Sequence, residues 1–518
     1  MNSKTILKIK FKLSVFALLS LYCITSCTHP DKDVNPPNII VFLVDDMGLM
    51  DTSLPFLMDV DGNQVKYPLN NFYQTPNMEA MAKQGIRFTN FYAHSVCSPT
   101  RTSLMTGQNS ARHGVTNWIN SESNNRTEFG PSNWNWEGLN KKSVTLPRVL
   151  QQKGYKTIHV GKGHFGPFGS EGENPLNLGF EINIAGSSIG EPGSYYGKDG
   201  FGHINGNKRR AVPGLEKYHG KDIFLTEALT LEANTAISQA KEEGKPFFLY
   251  MSHYAVHAPF QSDPRFANNY KNSGQTEKAQ TYATLIEGID KSLGDIVKHV
   301  KQLGLGENTL LLFMGDNGSD APLPIEDNYS SSSPLKGKKA MHWEGGMRVP
   351  FIASWVTPND KVSSQKKTPI ARNKVQQQQG SVMDIFSTLC QLAEVSPPEG
   401  YIMDGFKLQD QLNGKQNVKR DELFLNHFPH RHRSAYFTSL VKSNWKIIYH
   451  YQVDDLPHYE LFNLKEDPFE TNNLKGENPL QLKIMMKALA DEMKNKKAQY
   501  PEKEGQLLEL VMPNLVGN

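Results

Sequence analysis

The sequence predicts an α/β protein. A large mixed, mostly parallel sheet flanked by helices is followed by a smaller C-terminal α+β domain with an antiparallel sheet. Three observations carry this expectation. Four apolar runs each end in polar or charged residues. Helical segments alternate with those runs, the arrangement of a wound α/β sheet. A composition break near Asn413 to Asn417 then precedes strand-like pieces and a late helix.

The first residues stand apart from that fold. Lys4, Lys8, Lys10 and Lys12 precede an apolar stretch from Leu13 to Leu21, the layout of a secretory signal. The stretch is too short for a comfortable spanning helix. Ile24-Thr25-Ser26-Cys27 resembles a bacterial lipobox, which implies lipidation of Cys27. Residues 1–26 are thus expected to be a signal peptide and 27–36 a polar tether. The formal charge of the chain is +3, but residues 1–26 carry four lysines and no acid, so the remainder stands at −1. A near-neutral chain gives no global electrostatic reason to bind nucleic acid. With 38% apolar and 21% charged residues, it can build a core and is not globally disordered.

The four strand candidates follow in order. Asn38–Val44 runs into Asp45-Asp46, and Thr157–Gly161 into Lys162 and His164. Phe247–Met251 runs into His253 and His257, and Thr309–Gly315 into Asp316-Asn317. Sites in open α/β sheets form beyond the carboxyl ends of strands, so these groups are expected to share one site. Among the helices, Thr75-Pro76 reads as an N-cap and first helical residue, with a stop near Gly85. Thr145 and Gly154 bracket a second helix. Thr276 to Gln302 shows apolar residues at helical spacing. Asn117 to Lys142 and Gly166 to His219 read as long loops, either a sugar-facing wall or solvated insertions. Trp445–Tyr449 reads as a strand, and Pro479–Lys496 as the late helix.

With Cys23 and Cys27 in the export segment, two of the four cysteines remain, too few for a disulfide framework. Cys390 lies in an apolar stretch and reads as core. Cys97 lies in the polar stretch Cys97-Ser98-Pro99-Thr100-Arg101. Pro99 suits the first turn of a helix and Ser98 a cap. That puts Cys97 at a helix N-terminus that favours an anion, with Arg101 placed to reach back toward it. A thiolate nucleophile is one reading of such a place.

Cys-x-Pro-x-Arg followed by Thr106-Gly107 resembles the signature of the formylglycine-dependent sulfatases of the alkaline phosphatase superfamily. The resemblance implies that a maturation enzyme oxidises Cys97 to formylglycine. Its hydrate has two hydroxyls: one attacks sulfur and displaces the alcohol, and the other loses a proton so that sulfate is expelled. Asp45, Asp46, Asp316 and Asn317 match the family's metal ligands, and an all-oxygen set favours Ca²⁺ over Zn²⁺. By the same resemblance Lys162 and Lys339 bind the sulfate oxygens. His164 serves the nucleophile, and His257, in Val256-His257-Ala258-Pro259, serves the leaving group. Lys339 stands five residues before Glu344-Gly345-Gly346, as the pattern asks, with Lys336 and Lys338 as neighbours. Two residues depart from the pattern: Gly163 where an aromatic is usual, and Ala340 where Gly is usual. The resemblance spans about residues 36 to 475, including Tyr459 to Pro468, and implies an alkaline phosphatase-like fold.

The expected organisation is therefore a catalytic domain over 37–415 and a C-terminal domain over 416–518. His427, His430, Arg431 and His432 are candidates to reach over the pocket and touch substrate from the latter, the other reading being a polar surface loop. The leading function is hydrolysis of sulfate monoesters on a sulfated carbohydrate by an exported lipoprotein. It would be held at the periplasmic or outer surface by its lipid anchor alone. Two other readings stay open: a phosphoester hydrolase on the same scaffold, and a non-catalytic lipoprotein that binds sulfated glycan.

Overall fold

The run Asn38–Val44 forms strand β1, with all seven residues buried. Its side chains enter two different apolar cores: Ile40, Phe42 and Val44 one, Ile39, Val41 and Leu43 the other. A strand covered on both faces has no solvent side, hence the near-continuous apolar run in place of an alternating pattern. The computed structural model describes residues 36–59, 61–323, 331–451 and 458–513, and every count below is of these. The expected signal peptide, Cys23, Cys27 and the expected tether up to residue 35 lie outside them. No helix among the described residues is long and apolar enough to cross a membrane.

Seven further strands complete the main sheet: β2 (Ile86–Phe88), β3 (Lys156–Gly161), β4 (Ile182–Ile184), β5 (Phe247–Ser252), β6 (Thr309–Gly315), β7 (Phe351–Trp355) and β8 (Lys374–Gln376). Their order is β4-β3-β5-β1-β6-β7-β2-β8. The four strands expected from sequence lie side by side and parallel at the centre. β7 runs antiparallel to β6 and β2, which makes the sheet mixed.

Helices cover both faces. On one side lie α1 (Pro76–Gln84), α4 (Leu225–Glu242) and α5 (Glu277–Gln302). On the other lie α2 (Cys97–Thr106), α3 (Leu146–Gln151) and α6 (Met383–Leu392). α5 buries Ile286, Ile289, Leu293, Ile296 and Val300, a stripe at helical spacing. Each such side chain contributes about 1.5–3 kcal/mol of apolar burial. Cys390 sits in α6 as part of the second core.

The C-terminal sheet is antiparallel, in the order β9 (Leu423–Arg431), β10 (Ala435–Lys442), β11 (Trp445–His450), β12 (Tyr459–Asn463). Alternation divides its faces. Leu425, Ile447, Tyr449 and Leu461 pack with Leu482, Met486 and Leu489 of α7 (Pro479–Lys496). Phe428, Phe437, Ile448 and Phe462 face the other way, onto Val96 and Ala340. This second face therefore presses on the residue before α2 and on the loop that carries Lys339. From Pro36 onward the chain forms one compact unit, and the boundary expected at 415/416 falls just ahead of β9.

Candidate active site

The carboxyl ends of β3, β5, β1 and β6 deliver their polar groups to one place. Asp45 and Asp46 follow β1, Lys162 and His164 follow β3, Ser252 ends β5, and Asp316 and Asn317 follow β6. Asp46 has φ 58°, a left-handed conformation that costs a non-glycine residue strain. It turns the Asp46 amide to donate to Asp316 Oδ1 at 2.9 Å. His164 (φ 60°) and Ala340 (φ 65°) are left-handed as well. The Ala340 backbone gives a physical reason for the glycine of the family pattern at that position.

Three buried carboxylates meet three buried cations here. Arg101 Nε and Nη2 donate to Asp316 Oδ2 at 3.0 and 2.8 Å, and Nη2 lies 3.4 Å from Asp45 Oδ1. Lys162 Nζ donates to Asp45 Oδ2 and Lys339 Nζ to Asp46 Oδ2, both at 2.7 Å. Asn317 Nδ2 donates to Asp46 Oδ1 at 2.9 Å. Burial would raise the Asp46 carboxyl, but Lys339, His257 and Lys162 together hold it well below its usual range. Burial and then the charge of Asp45 push Asp316 up to about 6 against the pull of Arg101.

One ligand oxygen from each of Asp45, Asp46 and Asp316 lies within 4.8 Å of the others. Asp45 Oδ1 and Asn317 Oδ1 are buried and accept no hydrogen bond. Acceptors left unpaired in the interior are costly, and a cation among them would satisfy both. The donors are all oxygen, so the residues present fit a hard divalent ion.

Cys97 opens α2, with Val96 rather than Ser98 at the N-cap. Ser98 instead uses its Oγ to accept from the Ile119 amide at 3.0 Å, pinning the wall beside Cys97. Arg101 does not reach back to Cys97 as the sequence suggested. Its remaining hydrogen bonds go to Ser252 Oγ at 2.6 Å and the Lys162 carbonyl at 3.2 Å. Burial pushes the Cys97 thiol above its ordinary value, with Lys162 and Lys339 opposing. That direction weighs against a simple thiolate nucleophile.

His164 Nδ1 lies 3.4 Å from Cys97 Sγ. Its Nε2 lies 2.6 Å from the Ile119 carbonyl, which can only accept, so Nε2 carries the proton and Nδ1 turns a lone pair toward position 97. Burial and Lys162 keep this imidazole neutral. A Cβ at Gly190 would stand 2.8 Å from His164 Cε1. Gly190→Ala is therefore expected to keep the fold and lower kcat by about 10²-fold by displacing the ring. Steady-state kinetics with a thermal melt checks this, and unchanged kcat would contradict it. Gly163 has a parallel constraint, since a Cβ there would meet the Ser187 carbonyl at 2.9 Å. The backbone of the long loop thus occupies the space of the aromatic usual at that position.

His257 Nδ1 lies 3.0 Å from the Ala258 carbonyl, and Nε2 accepts from Lys339 Nζ at 3.0 Å. Burial and Lys339 hold it down to about 4 against the pull of Asp46. His253, the other histidine after β5, is buried, bonds Ser292 Oγ at 3.0 Å and packs on Phe42. Lys336 is drawn away over Trp343, which leaves Lys339 as the lysine beside Asp46.

A cavity of about 280 Å³ opens over Cys97, His164, His257 and Lys339. A larger cleft of about 580 Å³, beside Tyr196, Asp263 and Arg265, holds none of these groups. Both long loops line the smaller cavity: Trp118, Ile119 and Ser121 from the first, Gly190, Glu191 and Arg210 from the second. His427 and His430 do not reach it. His427 is buried between Thr438 Oγ1 and the Gln499 carbonyl, both at 2.7 Å, and His430 bonds Thr116 Oγ1 at 2.9 Å beside Trp134. β9 keeps both rings in its packed layer, and the turn after it sends His432 and Arg433 to the cavity instead. Arg433 pairs there with Asp320, at 2.6 and 2.8 Å. Sequence reasoning missed Asp320, Glu191, Arg210 and Arg433. Nothing but proximity to a motif or a long loop marked them.

The profile of the family described as "Sulfatase" matches residues 37–395, and that of "N-sulphoglucosamine sulphohydrolase, C-terminal" matches residues 337–499. The chain is 30% identical over 391 residues to an N-acetylgalactosamine-6-sulfatase of Mus musculus, covering 72% of this chain and 65% of the mouse protein. The chain thus spans slightly less than two thirds of that relative. It is 27% identical to a "Sulfatase" of Formosa agariphila, covering 94% and 92%. The solved structure of Ps i-CgsB, also known in complex with k-i-k-neocarrahexaose, shares the fold, with a TM-score of 0.69 at 23% identity over 89% of this chain and 94% of that one.

Proposed function

The chain belongs to the sulfatase family, and from that premise we propose that it hydrolyses sulfate monoesters of a sulfated carbohydrate, with Cys97 converted to formylglycine and Ca²⁺ among the carboxylates. The observation that carries the reading is the meeting of Cys97, the His164 lone pair and three buried cations under one cavity. A formylglycine hydrate would supply two hydroxyls on one carbon, one to attack sulfur and one whose deprotonation releases sulfate. His164 Nδ1 is placed to take that second proton. Asp45, Asp46, Asp316 and Asn317 would hold Ca²⁺, which offsets charge on the sulfate oxygens. Arg101 is a positioning residue that holds Asp316 and Asp45. A sulfate anion would take Lys162 and Lys339 as partners in place of the carboxylates with which they now pair.

His257 and Lys339 share one proton-bearing contact, and an anion beside them would raise the imidazole's affinity for a proton. His257 then serves as acid to the departing alcohol. His257→Ala is expected to slow esters of alkyl alcohols at least tenfold more than activated aryl esters. Equal losses would remove the general-acid role. Stripping Ca²⁺ should lower turnover, with Ca²⁺ restoring it; restoration by Zn²⁺ alone would favour a phosphoesterase instead.

The cavity lies at the small end of ligand sites, which suits one sulfated sugar unit. The N-acetylgalactosamine-6-sulfatase relative and the neocarrahexaose complex point to glycan sulfates. Export with a lipid on Cys27, a maturation enzyme for Cys97, and the division at 415/416 complete the reading. Sulfate release from a panel of sulfated oligosaccharides tests it. Binding of such a glycan without release by the matured protein would replace it with the non-catalytic reading.

A further inference from the structure

We propose that His342, His450 and Glu460 form a second cation site, for an ion of the Zn²⁺ class, tying the loop that carries Lys339 to the C-terminal sheet. His342 follows Lys339 by three residues, His450 ends β11, and Glu460 lies in β12. Glu460 stands opposite Ile448, so it shares a face with Ile448 and His450, the face turned toward Val96 and Ala340. His342 enters from the loop side and completes the cluster.

The geometry converges on one oxygen. Glu460 Oε1 lies 2.7 Å from His450 Nε2 and 3.4 Å from His342 Nε2. One ligand atom of each residue lies within 4.8 Å of the other two. The two rings stand 4.7 Å apart and nearly perpendicular. His342, His450 and Glu460 are only 4%, 1% and 9% exposed.

The independent sign of a ligand is the state of the nitrogens. His342 Nε2 is buried, turned toward Glu460, and has no hydrogen-bond partner. A hydrogen-bonded Glu–His pair alone satisfies one of the two rings and leaves His342 Nε2 orphaned in the interior. A cation ligated by that nitrogen would satisfy it. The other nitrogen of His342 lies 2.9 Å from Ser434 Oγ, the kind of outer contact that fixes the orientation of a metal-ligating imidazole.

The donor types select the ion. Two imidazole nitrogens and one carboxylate suit Zn²⁺ and its neighbours in the first transition series, and suit Ca²⁺ poorly. The all-oxygen cluster under the cavity has the opposite preference. The two sites would therefore sort two metals within one chain. The ion's place also gives it a task. Ser434 donates its amide to the Ala340 carbonyl at 3.3 Å, and Arg433 donates to the Lys339 carbonyl at 3.4 Å. Fixing His342 to β11 and β12 fixes the base of the loop from which Lys339 and Arg433 reach the cavity.

This inference does not rest on the hydrolase reading, and its test needs no turnover. Protein free of any histidine tag is stripped with a chelator, reloaded with Ca²⁺, and dialysed against micromolar Zn²⁺. Bound zinc is then counted by mass spectrometry of the elements. The expected result is about one zinc per chain, kept in Asp46→Asn and lost in His342→Gln and Glu460→Gln. Co²⁺ in place of Zn²⁺ supplies a readout on the unaltered chain: visible d–d bands of nitrogen-ligated, low-coordinate cobalt should rise and saturate at one equivalent. No retained zinc, no such bands, or zinc retained in His342→Gln but lost in Asp46→Asn would each overturn the proposal.

Discussion

Replacing Cys97 by alanine is expected to abolish sulfate release and to leave the fold in place. The physical grounds for the two halves differ. Cys97 Sγ has its polar contact with His164 Nδ1 at 3.4 Å, and the side chain is small and buried at the first position of α2. Alanine is the best helix former, so the change in stability should stay within about 1 kcal/mol. Activity, by contrast, would lose the residue from which the proposed formylglycine nucleophile is made. Removing a nucleophile from a site whose groups act as a unit costs on the order of 10⁴-fold or more in kcat. The paired measurement is kcat on a sulfated substrate with thermal unfolding of the same preparation. Substantial remaining turnover in a folded variant would show that Cys97 is not the precursor of the nucleophile.

Arg101→Met should be the most destabilising single change in the site. The guanidinium is fully buried and satisfies Asp316, Ser252 and the Lys162 carbonyl, with Asp45 at 3.4 Å. Methionine keeps much of the volume and removes the charge. Asp316 and Asp45 then lose their common partner, and breaking a buried pair this way costs about 3–5 kcal/mol. The loss should be largest without Ca²⁺ and smaller with it, because a divalent ion among the same carboxylates offsets part of the missing positive charge. Denaturant unfolding with and without Ca²⁺ reads both terms. A loss below about 1 kcal/mol in Ca²⁺-free buffer would mean that Arg101 is not what balances these carboxylates.

The central strands were legible because burial on both faces leaves an unmistakable apolar run, as in Asn38–Val44 and Thr309–Gly315. α5 and α7 were legible: the stretches Thr276 to Gln302 and Pro479 to Lys496 match the helices to within a residue at both ends. β2, β4 and β8 were not, since three residues carry no readable period and are held by their neighbours in the sheet. The placement of Asp45, Asp46, Asp316 and Asn317 together follows from the strands that precede them. The cavity wall is different in kind. Asp320 and Arg433 lie 113 residues apart and meet through a turn whose course depends on tertiary packing. His427 and His430 misled for the same reason, because histidines in a strand cannot be assigned to core or cavity until the face they share is known. Ala340 shows how backbone geometry explains a departure that motif comparison only flags, its φ of 65° being the conformation for which glycine is the easy choice.

In the proposed mechanism the residue at position 97 is a cysteine only at synthesis. The most direct measurement is the mass of the proteolytic peptide carrying Cys97, from protein produced together with a formylglycine-generating enzyme. The expected mass is that for CHO in place of CH₂SH, or its hydrate, in the active fraction. An unmodified thiol in protein that releases sulfate at full rate would contradict it.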